Sequence, residues 1–406
     1  MTPSPHHTDT RIPATPAPAR RVPGPWLAVL AGPLSFGIAA PALIVDDIAR
    51  ALDVGSESAA LAVTAFGWGI ALGTALLAAV LARRGLPALL AASAALVSAG
   101  TLLVVLAPAL PVLVAGAAVQ ALGSAGLTVA AMSLADSARR MGVVTASLAV
   151  VGSTGPLVGA LVADVLSWRA TLALPLLGVL AVPAVRRGGA APTPPRSRLD
   201  GLGTLLLALL VTALVVVPHR PLAAGPAAVV LVLLLAARAR VRPDGPVPAA
   251  LTGNARYLAA CALTFALGVV NFALLYAAPD LLHRHAGWTS AQTGVVLLAP
   301  YLFGGLCSAF LVAASARVSS RVVVGALLAA GVAAPLVAAV GTAVPLLLAA
   351  MATGSLAAAT GQGALAVRAT AAVPAAHRAE ALGLFTVAYL LSVAFGPAIA
   401  VALTLP

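Results

Sequence analysis

The chain has 406 residues, of which 61% are hydrophobic and only 8% charged, and its mean hydropathy is +1.08. That composition excludes a soluble globular domain, in which about 25% of residues are charged, and defines a polytopic membrane protein. The formal net charge of +12 does not mark a nucleic-acid binder, because the arginines that supply it sit in short turns between apolar runs.

Residues 1–25 are rich in Pro and Thr, carry Arg11, Arg20 and Arg21, and lack apolar periodicity, which predicts a disordered cytoplasmic tail. The first apolar run, 26–45, has the roughly 20 residues that a bilayer core requires and reads as a signal anchor and first span. Further apolar runs follow near 59–82, 86–107, 111–135, 142–164 and 169–185. After a polar linker at 186–200 come two more, near 202–218 and 222–237. A second linker, 239–256, precedes the last five, near 257–279, 291–316, 322–341, 345–367 and 380–404. The expected architecture is an all-α membrane bundle of thirteen transmembrane helices. It divides into an N-terminal six-span half at 26–185, an inserted pair at 201–238 and a C-terminal half with five spans at 257–406.

Arginine sets the expected orientation, since the chain has no lysine. With the N-terminus in the cytoplasm, only Arg50, Arg169, Arg220 and Arg284 of the 23 basic residues fall on the far side, a strong positive-inside bias. This places the protein in the cell membrane with an extracytoplasmic C-terminus. No GxGxxG, P-loop, HExxH or CxxC spacing occurs, so neither a cofactor nor a metal is expected, and the chain does not read as an enzyme. Cys261 and Cys307 lie in apolar runs and read as small buried side chains.

The fifth run contains Gly152, Gly155, Pro156 and Gly159, residues that are costly inside a helix and are tolerated in membranes where neighbouring helices pack closely. With Asp164, Trp168 and Arg169 beyond it, this stretch resembles the antiporter signature of the major facilitator superfamily, a Gly and then G-P-x-x-G-G. The signature's first Gly falls on Val151 and its last on Ala160. Setting Gly155-Pro156 on Gly396-Pro397, an offset of 241, also superposes Gly142 on Gly383 and Thr145 on Thr386, so the thirteenth run looks like a second copy of the fifth. The inserted pair and its entry, Leu199 to Gly203, resemble the fourteen-span drug:proton antiporter branch. Under the same offset Pro406 corresponds to Val165, so the last of fourteen spans is expected to be missing.

The resemblance implies a secondary carrier for a small organic molecule, working by alternating access as a monomer. Export and proton coupling are what this branch would add. Other family motifs are eroded. Arg83 and Arg84 keep the charge of a cytoplasmic gate whose Asp is absent, and Gln120 survives where the neighbouring coupling Arg is replaced by Ala117. Among the acids, Asp164 beside Arg169 is the candidate for coupling; its bland reading is an interfacial ion pair. The spans that line the family's cavity point to Ser35, Phe36, Gln120, Ser124, Thr128, Asn271, Phe272, Tyr276 and Gln362 as pathway residues. Hydroxyls in such helices also bond their own backbone, so Gln120 and Asn271, whose amides need several partners, are the sharper candidates. Two rival readings stay open: a degenerate membrane protein that transports nothing, and a facilitator or importer of metabolites.

Overall fold

The computed structural model describes residues 22–135, 138–188, 200–218, 220–242, 245, 247–315, 317–341, 343–374 and 377–404. Most of the expected tail, the centre of the first linker and Asp136 lie outside the described residues, as do the side chains of Arg83 and Pro397. Among the described residues the chain is helical and contains no strand. A backbone in hydrocarbon must satisfy its own N–H and C=O groups, and the helix does so within one segment.

The first span is broken by its prolines into α1 (Gly24–Ala31), α2 (Leu34–Ala39) and a 3-10 turn at Ala40–Leu43. Its helix starts within the stretch assigned to the tail: Pro23 and Pro25 suit a first helical turn, and Val22 is buried. Short α3 (Val45–Leu52) and α4 (Ser56–Ala59) lead to α5 (Leu61–Leu106), which carries two spans. They are separated at Gly85, whose φ of 76° is a backbone state that favours glycine. Then come α6 (Leu110–Ser133) and α7 (Ala138–Val165), followed by α8 (Trp168–Ala173), a 3-10 stretch at Leu174–Ala181 and α9 (Val182–Gly188), which together form the sixth span.

The inserted pair is α10 (Gly201–Val216) and α11 (Pro221–Val241). After α12 (Ala249–Thr252), the second half is built from α13 (Ala255–Ala286), α14 (Ser290–Ser315), α15 (Ser320–Val340), α16 (Val344–Ala371) and α17 (Arg378–Thr404). Among the described residues, eleven segments are long and apolar enough to cross a membrane, against the thirteen expected. The two remaining apolar segments, Gly201–Val216 and Glu380–Gly396, are shorter. The 16 residues of α10 rise about 24 Å, less than the ~30 Å hydrocarbon core.

At the arginine-rich end of the inserted pair, Asp200 caps α10 by accepting from the Gly203 amide at 3.0 Å. The same carboxylate accepts from Arg238 Nη2 of α11 at 2.7 Å and from its Nε at 3.1 Å. The Arg238 hydrogen bond holds the Asp200 carboxyl below its ordinary value of 3.8, against the opposing effect of burial. Because the folded value is the lower one, the pair's contribution is in full force above about pH 4 and is lost as acid carries the pH down through that depressed value. Asp200→Asn should therefore lower the thermal midpoint of the purified protein at neutral pH. The difference from the parent should shrink in strong acid, as melts at the two pH values would show.

Candidate functional site

The two Gly-Pro helices occupy corresponding places. A Cβ added at Gly155 of α7 would lie 2.6 Å from Ala39 Cβ, and one added at Gly159 would lie 2.5 Å from the Ala40 carbonyl oxygen, so α7 packs against the broken first span. In the second half a Cβ at Gly396 of α17 would lie 3.0 Å from the Phe272 carbonyl carbon of α13, which follows the inserted pair as the first span follows the tail. Each of these helices also crosses to the opposite half. Gly294 of α14 lies against the Leu157 backbone of α7, and Gly67 of α5 lies against Ala394 of α17. Residues without side chains let backbones come this close.

These crossings organise the apolar interior. One core joins the halves toward the end opposite the arginines, drawing Leu34, Ile38, Phe66 and Ile70 together with Phe272, Leu275, Leu297, Tyr301, Leu390 and Val393. Toward the arginine-rich end there are two separate cores. The first is built from Leu27, Leu30, Leu77, Leu89, Leu127 and Val185; the second from Tyr257, Leu327, Leu365, Ala381 and Phe385. A further cluster also joins the halves, drawing Ala71 and Leu72 of α5 together with Leu207 and Val211 of α10 and Val387 and Leu391 of α17.

Tyr276 donates from its hydroxyl to the Ile38 carbonyl of α2, so this residue ties the halves together. Phe272 stacks at a tilt on Tyr389, with ring centroids 6.2 Å apart. The Asn271 side chain is buried and its Oδ1 has no hydrogen-bond partner. Ser35 faces α7, opposite Gly152, while Phe36 and Gln362 are half-buried. Ser124 and Thr128 are buried in α6 and return their hydroxyls to the Gln120 and Ser124 carbonyls of their own helix.

Gln120 is 1% exposed, and its Nε2 donates to Thr101 Oγ1 at 2.8 Å and to the Leu172 carbonyl at 3.0 Å. The amide thus joins three spans within the first half. Gln120→Leu should lower the thermal midpoint, with a cost of about 1 kcal/mol, the scale of interhelical hydrogen bonds in membranes; a melting curve checks this. Arg169 donates to the Ala107 carbonyl at 2.9 Å and lies 4.2 Å from the Trp168 ring centre, whereas Asp164 is exposed. Among the described residues no ion pair joins the two. Arg84 is exposed at the turn before Gly85.

Eighteen polar side chains are buried among the described residues, and every one of them is neutral. Periodicity had not singled out Tyr301 or the crossing glycines Gly67 and Gly294. A usable signal was present for the first, since Tyr301 stands three and four residues before the Gly304-Gly305 pair.

Two apolar helical bundles, each lending a Gly-Pro helix to the joint with the other, define a membrane protein of two-half design. The chain belongs to the major facilitator superfamily, whose family model matches residues 26–239. It is 30% identical over 197 residues to the uncharacterized MFS-type transporter Rv1877 of Mycobacterium tuberculosis (strain H37Rv), and equally to MT1926 of strain CDC 1551. Those matches take in 44% of this chain and span only 28% of the relatives' own length. The fold is similar to that of the human organic anion transporter MFSD10, with a TM-score of 0.61 at 18% identity over 96% of this chain and 94% of that one. It is also similar to a bacterial homolog of the human lysosomal transporter Spinster, solved inward-facing and unoccupied, with a TM-score of 0.58 at 14% identity over 92% and 80%.

Proposed function

We propose that the protein is a secondary carrier of the cell membrane that exports a small, uncharged organic molecule by alternating access. The observation that carries this reading is an interior in which the two halves share a core built around close glycine crossings while each half also keeps a core of its own. A rocking carrier needs a closure that can be traded from end to end, and close glycine contacts let one helix pair form it without interlocking side chains. The arginine distribution favours a cytoplasmic position for the end at which each half has its own core. An interior whose buried polar groups are all neutral offers a charged molecule no counter-ion, which favours an uncharged cargo.

The Gly-Pro signature and the inserted pair support membership of the drug:proton antiporter branch. Asn271 is the pathway residue best supported by its surroundings, because its buried oxygen lacks a partner. Ser35, Phe36, Ser124, Thr128, Phe272, Tyr276 and Gln362 complete the proposed lining. Proton coupling of the kind the branch implies would fall to Asp164. The cytoplasmic gate would fall to Arg83 and Arg84.

The test is accumulation of two uncharged dyes, Nile red and N-phenyl-1-naphthylamine, in cells with and without expression, repeated in proteoliposomes with and without a pH gradient. Lower accumulation on expression supports export. Higher accumulation would indicate an importer, and no difference for either dye would reject an uncharged cargo of this kind. Flux indifferent to the pH gradient would remove proton coupling alone.

A further inference from the structure

Tyr301 is the feature of the central core that helix packing leaves unexplained. It sits in the middle of α14, is 6% exposed, and its hydroxyl is buried without a hydrogen-bond partner. Leaving a hydroxyl in that state is unfavourable, and a phenylalanine would fill the same space without the penalty. Native structures keep such groups where something else satisfies them.

Its direction can be read from its neighbours. Residues three and four positions apart share a helix face, so Tyr301 lies on the face of Gly304 and Gly305. Gly304 is turned to α16 of the same half, where an added Cβ would come within 2.8 Å of the Leu356 amide nitrogen. Gly305 is turned to α7 of the other half, where it would come within 3.2 Å of Ala149 Cβ. The tyrosine therefore points between its own bundle and the opposite one. Helical side chains lean toward the N-terminal turn, which carries the ring toward fully buried Leu297 and into the core that joins the halves. The two glycines below it leave no Cβ of their own beside the ring.

We infer that the Tyr301 phenol is a specificity-determining hydrogen-bond donor to the transported molecule, and that the molecule presents an uncharged acceptor such as a carbonyl or ether oxygen. The inference rests on the carrier reading above and adds to it one residue and one chemical group of the cargo. Among the described residues no charged side chain belongs to the core that joins the halves, so the phenol can act without competition from a stronger donor there. Thr264, Thr293 and Thr360 of the same half also have buried hydroxyl oxygens without a partner, but a threonine hydroxyl can turn back to its own helix, whereas the phenol, held out on its ring, cannot; Asn271 Oδ1, unpartnered too, is an acceptor and would select for a donor on the cargo.

The experiment compares the parent protein and Tyr301→Phe in proteoliposomes, using Nile red, which carries a ring carbonyl, and N-phenyl-1-naphthylamine, which has none. The expected result is a half-saturating concentration for Nile red raised about fivefold, the scale of one neutral hydrogen bond, with its maximal rate and the naphthylamine kinetics unchanged. The thermal midpoint of unliganded Tyr301→Phe should be equal to or above that of the parent, and Nile red should raise it less. Equal kinetics for Nile red in both proteins would overturn the inference and leave the carrier reading standing. So would a lower midpoint with parallel losses for both dyes, which would mark a packing role. Failure of the parent to move either dye would overturn the uncharged-cargo reading and the inference with it.

Discussion

Gly155→Leu should insert into the membrane at the parental level and fail to transport. The position has no room: even a Cβ would stand 2.6 Å from Ala39 Cβ and 3.3 Å from the Ala40 amide nitrogen, and the opposing wall is the 3-10 turn of the first span. Overpacking of this kind costs about 1–3 kcal/mol, and three further carbons must also be housed. A penalty of that size against the close packing of α7 lowers its population by a factor of roughly 5 to 150. Neighbouring Gly152 is the internal control. A Cβ there would meet Ser35 Cβ at 3.7 Å, an ordinary contact, so Gly152→Ala should transport normally. Efflux of Nile red, set against the amount of membrane-inserted protein, measures both. Parental flux through Gly155→Leu would show that this contact is not part of the working cycle.

Gly67→Leu should hold the two halves apart at the core they share. An added Cβ would lie 2.8 Å from the Ala394 amide nitrogen and 3.1 Å from Ala394 Cα, so the obstacle is backbone and cannot rotate away. The clash falls between the halves, unlike that at Gly155, and so should change which end is closed more than how each half is assembled. Leu297, fully buried in the joining core, reports on this when replaced by Cys in a chain whose own Cys261 and Cys307 are changed to Ala. A membrane-impermeant maleimide added outside should label Leu297→Cys slowly in the parent background and about tenfold faster with Gly67→Leu, while transport falls by a similar factor. Gly142→Leu, with open space around the position, should change neither rate. Unaltered labelling in the Gly67 variant would place the closure elsewhere.

The helical class and most of the span limits were legible because hydropathy and length are directly what a bilayer selects. Pro41 and Pro175 each mark a place where a helix is interrupted, but not the 3-10 segments found there, since that choice depends on what packs alongside. Helix length was less legible at α10, where the apolar run extends past the last turn at Val216. The direction in which a polar residue points was least legible of all. Ser124 and Thr128 recur at helical spacing whatever they face, and the spacing did not show that their hydroxyls bond carbonyls of their own helix. Gln120 meets Thr101 and Leu172, partners 19 and 52 residues away that no local pattern connects. The close crossings at Gly67 and Gly294 were equally hidden, because a single glycine in an apolar run has no periodicity.

The inserted helix α10 touches both halves. Its Thr212 accepts from Trp68 Nε1 of α5 at 2.9 Å, and its Leu207 and Val211 share an apolar cluster with Ala71 and Leu72 of α5 and with Val387 and Leu391 of α17. The joint between α5 and α17 is thus roofed by protein, while beside the joint between α7 and α14 Leu161, Val295 and Leu306 are solvent-exposed in the isolated chain. Fatty-acyl chains would then meet the hinge line on one flank only. Bilayer thickness and acyl order would press on the machine from one side, making its rocking lopsided although its two bundles are built alike.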